Sequence, residues 1–496
     1  MNEISLCVIV KNEAHYLSGC LESAKNIADE IIVVDTGSTD NSKEIALSYN
    51  AEVYDFTWVN DFSAARNFSL SKATKDWILY LDADERLTEK SIEQINKIKI
   101  QKRKAGYYCR VVSPSAATGN PSVMKYIRFF RNLDNPRFEG KVHEQIIPDL
   151  KAKGFELIDS EIEILHIGYD VGKEVLEEKA RRNLKLLLND YNENPSSYNA
   201  FQLGQSYIFL NEFEKADEYF RLVAKREELD DEHLAQTYRY LAAFALSQKK
   251  LEDAENYALE GLRRRSESPL LNVVMANIKL DKGEFEAAAD YGRKAYDYNS
   301  LYLSGEKPTG FEVLVDAKNM FLYGINLAIA AASVTLFNYL YPKRNEFDIS
   351  GEEKAILKFY DEVFNSNEIS AETIENALRY SDKINFEILY RILKNASEDK
   401  QIMVFKNFAD KNPGSYNFNF AVAELFEEDN YDEAIYYYER AFEVKPNDLV
   451  VILKLLGLFS AKGDLNGIKR MLEKALPYFE DNPELHNRFL SIYNKL

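Results

Sequence analysis

The chain has 496 residues, more than one ordinary core serves, so two or more domains are expected. Lys and Arg total 62 against 81 Asp and Glu, a net charge of −19 that argues against a nucleic-acid partner held through its phosphates. Three cysteines, Cys7, Cys20 and Cys109, are too few and too irregularly placed for a disulfide framework or a Cys-based zinc site, and they point to a reducing compartment, with the cytoplasm as the expectation.

The opening MNEISLCVIVKNE lacks the basic flank, long apolar core and small-residue cleavage site of a secretory signal. From there, short β-rich runs alternate with helical patterns. ISLCVIV (4–10) reads as a strand, NEAHYLSGCLESAKNI as a helix and EIIVVD (30–35) as a second strand. STDNSKEIALSYN opens with polar capping residues before helical periodicity takes over. AEVYDF is the third strand, DFSAARNFSLSKAT a helix and DWILYLD the next strand. This order predicts an α/β, Rossmann-like domain over residues 1–170, with a mixed sheet. Such sheets bind ligands beyond the carboxyl ends of their strands, where Asp35 and Asp82 stand. No Gly-x-Gly-x-x-Gly turn or P-loop follows the first strand, so phosphate must be held in another way.

After a helical linker at 171–195 the character changes to long helical stretches with a recurring phrase. NEFEKA, KKLEDA, GEFEAAA and DNYDEA place alanines at 216, 254, 288 and 434, and GDLNGI has Ile468 at the matching position. The steps from Ala216 to Ala254, Ala254 to Ala288 and Ala434 to Ile468 are 38, 34 and 34 residues, the period of a tetratricopeptide repeat. Leu203, Gly204, Tyr207 and Phe220 complete the pattern around the first anchor, and Tyr438, Ala441 and Pro446 around the fourth. An all-α solenoid with a concave face is expected, with repeats over 196–300, a divergent helical region over 301–405 and further repeats over 406–496. The run YYYER at Tyr436 reads as repeat core. The uncharged stretch 319–342 is long enough to touch or span a bilayer, but Asn326, Ser333, Thr335 and Asn338 dilute it, and a buried solenoid helix is the expectation.

WILYLDADE carries the chemistry. In an extended segment Asp82 and Asp84 aim both carboxylates at one spot while Ala83 points away, and two like charges so placed require a cation. Oxygen ligands of this kind suit Mg²⁺ or Mn²⁺ shared with substrate phosphates.

SLCVIVKNE, EIIVVDTGSTDNS, FSAARNFSLSKATKDWILYLDADE and FEGKVHEQI, in this order, resemble the family-2 glycosyltransferases of GT-A fold over nearly all of the first 170 residues. The resemblance implies a UDP-sugar donor, with Val10, Asn12, Glu13 and Arg66 in the nucleotide pocket and Asp35 on the base. It also implies that Asp82 and Asp84 bind metal and diphosphate, and that His166 completes the metal sphere; His166 also suits a core histidine. The acceptor would be activated at His143 and Glu144, where many relatives show Glu-Asp. Glu144 is the expected base, and His143 either shares that role or orients it. Arg128 and Arg131 read either as cations on an edge strand or as ligands of the diphosphate, and Glu85 as a cap or ion-pair partner outside the site.

The function expected is inverting, metal-dependent transfer of a sugar, glucose or N-acetylglucosamine, to a Ser/Thr hydroxyl or a Cys thiol of a protein or peptide held by the repeats. Self-association into a homodimer through the repeats is a further expectation. The alternatives are a transferase extending a lipopolysaccharide or other surface glycan, and a non-catalytic repeat scaffold that binds a nucleotide-sugar.

Overall fold

Six of the seven residues of β1 (Ile4–Val10) are buried in the computed structural model, which describes residues 2–113, 122–168, 173–304 and 314–496. Residues 171–172 of the expected linker and 305–313 of the expected divergent region lie outside the described residues. Two units divide the chain, Met1–Tyr323 and Gly324–Leu496.

The first unit continues with α1 (Ala14–Ala24), β2 (Glu30–Asp35), α2 (Ser42–Ser48), β3 (Glu52–Asp55), α3 (Phe62–Leu70), β4 (Trp77–Asp82) and β5 (Glu85–Leu87). It then runs through α4 (Glu89–Lys99), β6 (Ala105–Ser113), β7 (Ser122–Arg131), α5 (Ile147–Ala152) and β8 (Glu156–His166). The strands form one mixed eight-stranded sheet in the order β3-β2-β1-β4-β7-β6-β8-β5. β3, β2, β1 and β4 are parallel, and β7 enters antiparallel to β4. The central strands are covered on both faces, which is why they are continuous apolar runs and not alternating ones. Side-chain alternation still sorts their residues: Leu6, Val8 and Leu79 join Leu17, Leu21 and Ile95 on one face, while Cys7, Ile78 and Tyr80 join Val34 and Phe130 on the other. The parallel register pairs Val10 with Asp35 and Ile9 with Asp82, so three strands end together and present their carboxyl ends to one place.

The same unit contains α6 (Lys173–Glu193), α7 (Ser197–Phe209), α8 (Phe213–Arg226), α9 (Asp231–Ser247), α10 (Leu251–Arg264), α11 (Pro269–Asp281) and α12 (Phe285–Leu303). α7–α8, α9–α10 and α11–α12 are the expected helix pairs. The anchors Ala216, Ala254 and Ala288 are each fully buried on the second helix of a pair. Gly204 lies where α7 meets Phe220 of α8; a Cβ there would stand 2.7 Å from the ring, so only a bare Cα admits so large a partner.

α13 (Ala317–Ala330) and α14 (Val334–Leu340) share the uncharged stretch, which breaks at Ala332, a residue held at φ +53°. Among the described residues no helix is long and apolar enough to cross a membrane. The second unit goes on through α15 (Gly351–Asn365), α16 (Ala371–Leu378), α17 (Phe386–Leu393), α18 (Glu398–Lys411), α19 (Tyr416–Phe426), α20 (Tyr431–Val444), α21 (Leu449–Ala461), α22 (Leu465–Ala475) and α23 (Pro483–Tyr493). Ala434 and Ile468 are buried anchors of α20 and α22. The tyrosine run of α20 divides: Tyr437 and Tyr438 are core and donate to Asp410 and Glu427, whereas Tyr436, expected in the core, is half exposed because it falls on the helix's outer face.

Gly204→Val is expected to destabilise the first unit by about 1–3 kcal/mol through overpacking against Phe220. Urea denaturation of the full chain checks this, with Gly204→Ala giving a smaller loss.

Candidate active site

The turn after β1 is built by polar cross-links. Asn12 sits at φ +57°, a left-handed conformation that asparagine tolerates. Its N–H donates to Ser38 Oγ at 2.9 Å, and its Oδ1 accepts from the Thr39 N–H at 2.7 Å. The Glu13 N–H donates to Ser42 Oγ at 2.9 Å. Asp35 is buried at the end of β2, where its carboxylate accepts from the backbone N–H groups of Gly37 and Ser38 and pairs with Lys43 at 3.6 Å. Asp35 therefore shapes the loop after β2, and Thr36, its neighbour, is the residue that lines the cleft.

β4 ends at Asp82 and the chain turns at Ala83–Asp84, so the alternation of an extended strand stops there. The two aspartates have different hydrogen-bond partners. Asp82 Oδ1 accepts from Arg66 Nη2 at 2.7 Å, and its Oδ2 accepts from Arg128 Nη2 at 3.0 Å. Arg66, on α3, also donates from Nε to Glu144 Oε1 at 2.5 Å. Arg128, on β7, donates to Glu85 Oε1 at 2.6 Å, and Glu85 Oε2 accepts from the Asp82 N–H at 2.9 Å. Both guanidiniums lie against the Tyr80 ring, at 5.1 and 4.6 Å from its centroid. Glu85 thus caps and pairs, as expected, buried behind Asp82 and not among the residues that line the cleft.

Burial would raise the Asp82 carboxyl, but Arg66 and Arg128 outweigh it and hold it well below the usual carboxylate range. For Glu85 burial wins over Arg128, and its carboxyl is pushed up to about 7. Two guanidiniums against Asp82, Glu85 and Glu144 make a network in which each buried charge has a hydrogen-bonded partner, as burial of charge requires.

Asp84 has its own partner beside this network. Its Oδ2 lies 3.2 Å from His166 Nε2, and His166 Nδ1 lies 3.1 Å from Ser113 Oγ. Burial lowers the His166 imidazole, yet the hydrogen bond and charge of Asp84 outweigh it and leave the pKa above the ordinary value. Two features fix Asp84. Arg86 donates to the carbonyls of Ala83, Glu85 and Tyr16, tying the acidic turn to α1. Gly168 leaves open the space the carboxylate fills, since a Cβ there would stand 1.8 Å from Asp84 Oδ2. Among the described residues no cluster of three or more His, Cys, Asp or Glu side chains could hold a metal. Asp84 and His166 provide one carboxylate and one imidazole, and this donor set fits an ion that keeps waters and takes its remaining ligands from substrate phosphates. Asp82, expected as a further ligand, has each oxygen accepting from one guanidinium, which leaves one lone pair on each.

The segment carrying His143 and Glu144 is anchored on both sides. Glu139 and Gln145 exchange backbone hydrogen bonds at 2.9 Å, the Phe62 N–H donates to the Lys141 carbonyl at 2.9 Å, and Ser63 Oγ donates to the Gly140 carbonyl at 2.6 Å. His143 is held at φ +54°, with its side chain at the exposed rim. Tyr198 of α7 donates from its hydroxyl to the His143 carbonyl at 3.3 Å, and Lys141 pairs with Glu193 of α6. Glu144 Oε2 makes no hydrogen bond among the described residues.

Val10, Asn12, Glu13, Arg66, Asp82, Asp84, His143, Glu144 and His166 all line one cleft of about 950 Å³; Asp35 alone among the expected residues does not. Sequence reasoning missed the role of Glu85, Arg86 and Gly168 in holding the acidic turn, and the residues of α6, α7 and α9 that line the same cleft. Pattern within a segment gives no signal for contacts between segments dozens of residues apart. The one sequence signal for Arg128 was its position beside two buried phenylalanines, which left it ambiguous.

Residues 5–148 match the sequence model of glycosyl transferase family 2, and residues 199–228 and 417–448 match a tetratricopeptide repeat model. The chain is 29% identical over 313 residues to a TPR repeat-containing protein of Synechococcus elongatus, covering 60% of this chain and 75% of that one. It is 32% identical over 225 residues to the SPbeta prophage-derived glycosyltransferase SunS of Bacillus subtilis, covering 44% of this chain and 52% of SunS, so it spans about half the length of that relative. An uncharacterized glycosyltransferase of Rickettsia prowazekii is 38% identical over 98 residues, 20% of this chain and 33% of that protein. Residues 5–148, from β1 through the loop that carries His143 and Glu144, thus match glycosyl transferase family 2 in a chain that also matches tetratricopeptide repeats.

Proposed function

We propose that this glycosyltransferase moves a sugar from a UDP-sugar to a protein or peptide side chain with inversion at the anomeric carbon. The observation that carries the reading is Arg66, whose guanidinium joins Asp82 of the acidic turn to Glu144 of the neighbouring loop and so puts donor-side and acceptor-side carboxylates in one cleft. Residues 1–170 are read as the catalytic domain and the helices that follow as its acceptor-binding partner.

Val10, Asn12 and Glu13 form the edge of the nucleotide pocket, and Asp35 holds the loop whose Thr36 faces it. Asp84 and His166 hold Mn²⁺ or Mg²⁺, with Asp82 retained by the arginines. Lewis-acid neutralisation of the departing diphosphate is the chemistry a bound cation supplies there. Glu144 takes the proton of the acceptor hydroxyl or thiol on Oε2 while Arg66 fixes Oε1, so the carboxylate keeps one direction for its free lone pair. The acceptor oxygen or sulfur bonds to the anomeric carbon from the face opposite the diphosphate, the bond to UDP breaks, and the electron pair leaves with UDP. His143, on strained backbone beside the base, sets the position of Glu144 through the chain. Free, buried cysteines agree with a reducing compartment, and the cytoplasm is the location proposed.

Two substitutions test the reading with purified full-length protein, Mn²⁺ and a panel of UDP-sugars. Glu144→Gln should lower sugar transfer by about 10²–10⁴-fold, the usual contribution of a general base, while UDP affinity measured by calorimetry is retained. Transfer at the normal rate would refute the base assignment. Asp84→Ala should abolish the part of UDP release that depends on Mn²⁺ and weaken Mn²⁺ binding in the presence of UDP; an unchanged Mn²⁺ titration would remove Asp84 from the metal site.

A further inference from the structure

The cleft does not end with the catalytic domain. Its lining continues from Asp84, Arg128 and Glu144 onto Arg182 of α6, Tyr198, Gln202 and Gln205 of α7, and Gln236 of α9. At about 950 Å³ it is near the upper end of the range for small-ligand sites, about 300–1,000 Å³, so a donor nucleotide need not fill it. The helical side is fixed to the base loop, because Tyr198 donates to the His143 carbonyl and Glu193 pairs with Lys141.

The chemistry of that wall differs from the rest of the chain. In a sequence with 81 Asp and Glu, no carboxylate of α6, α7 or α9 lines the cleft among the described residues. Side-chain amides stand there instead. Gln202 is buried, Gln205 and Gln236 are half-buried, and Gln205 Nε2 donates to Gln236 Oε1 at 3.4 Å. Gln202 and Gln236 occupy the same place in successive repeats, six residues after the N-caps Ser196 and Asp230. An amide side chain can both donate and accept, as an extended backbone does at every residue, and Gln205 and Gln236 spend one donor and one acceptor on each other. Gln202 and Gln236 thus recur at the period of the repeat, a spacing that suits an extended ligand crossing two repeats; Val274 stands at the same place in the third. Among the described residues Arg182 is the one guanidinium on this wall, and it stands on α6, whereas the amides stand on α7 and α9.

We infer that α7 and α9 form the acceptor subsite of the cleft: Tyr198, Gln202, Gln205 and Gln236 receive an extended polypeptide segment by its backbone amides and bring one side-chain hydroxyl or thiol to Glu144. The inference rests on the function proposed above, and it makes the first repeats part of the active site and not a separate recognition module.

The test uses the full-length protein with Mn²⁺, a panel of UDP-sugars and a degenerate pool of 15-residue unstructured peptides, each with one central Ser, Thr or Cys, alongside a panel of methyl glycosides. Glycosylated peptides are read by mass spectrometry, and the best one is taken into kinetics. Gln205→Ala/Gln236→Ala should raise the peptide KM at least about 10-fold with a much smaller change in kcat, and UDP affinity by calorimetry should stay within about twofold. Gln236→Glu, which keeps the side-chain length, should raise KM in the same direction. A peptide KM equal to that of the unsubstituted protein in both variants would overturn the acceptor subsite and leave the proposed function standing. Loss of UDP affinity in both would assign the glutamines to the donor side and overturn it as well. Transfer to a methyl glycoside, or to water alone, with no peptide in the pool modified would overturn the polypeptide acceptor itself.

Discussion

One guanidinium organises the cleft. Arg66 reaches from α3 to two carboxylates that stand 62 residues apart in the chain, Asp82 at the end of β4 and Glu144 on the loop before α5, and it stacks on Tyr80 and Phe138 while doing so. Arg128 adds the second cation from β7 and ties in Glu85. Such a cluster is costly to bury and gains little net stability, and because the Asp82 side chain is 34% exposed, solvent screens part of what losing one partner would cost. What the network contributes is therefore position: the acidic turn and the base loop cannot move independently.

That constraint separates the two aspartates into two tasks. Asp82, held well below the usual carboxylate range by the guanidiniums, stays ionised and keeps both arginines in place. Asp84, proposed for the metal, meets His166 and fills the space over the bare Cα of Gly168, on a turn whose neighbouring carbonyls Arg86 holds. A strand that is buried on both faces supplies the rigid base for both, because β4 is fixed between β1 and β7 before its tip reaches the cleft. The helical wall extends the same logic, since Tyr198 holds the backbone of His143 from the opposite side.

Much of this was legible in sequence. EIIVVD matched β2 residue for residue and ISLCVIV matched β1, because continuous apolar runs between turn signals mark central strands. The alanine anchors at 216, 254, 288 and 434 fell on fully buried helix positions, because a small residue at a fixed period is needed for close helix packing. The site was legible as a set of residues but not as a geometry. Asp82 and Asp84 were expected to share one partner, whereas Asp82 accepts from Arg66 and Arg128 and Asp84 meets His166. Asp35 and Asn12 were expected at the ligand; Asp35 holds the loop after β2 and does not line the cleft, while Asn12 lines it and also ties that loop through its Oδ1. Gln202, Gln205 and Gln236 carried no signal, because a glutamine on an amphipathic helix reads as surface until the neighbouring domain is in place.

A crystal structure of the full chain with UDP and Mn²⁺ tests the central claim most directly. The account predicts Mn²⁺ on Asp84 and His166 with the diphosphate against it, while Arg66 still bridges Asp82 and Glu144. A cation bound between Asp82 and Glu144 with Arg66 displaced, or a diphosphate seated away from Asp84, would contradict it.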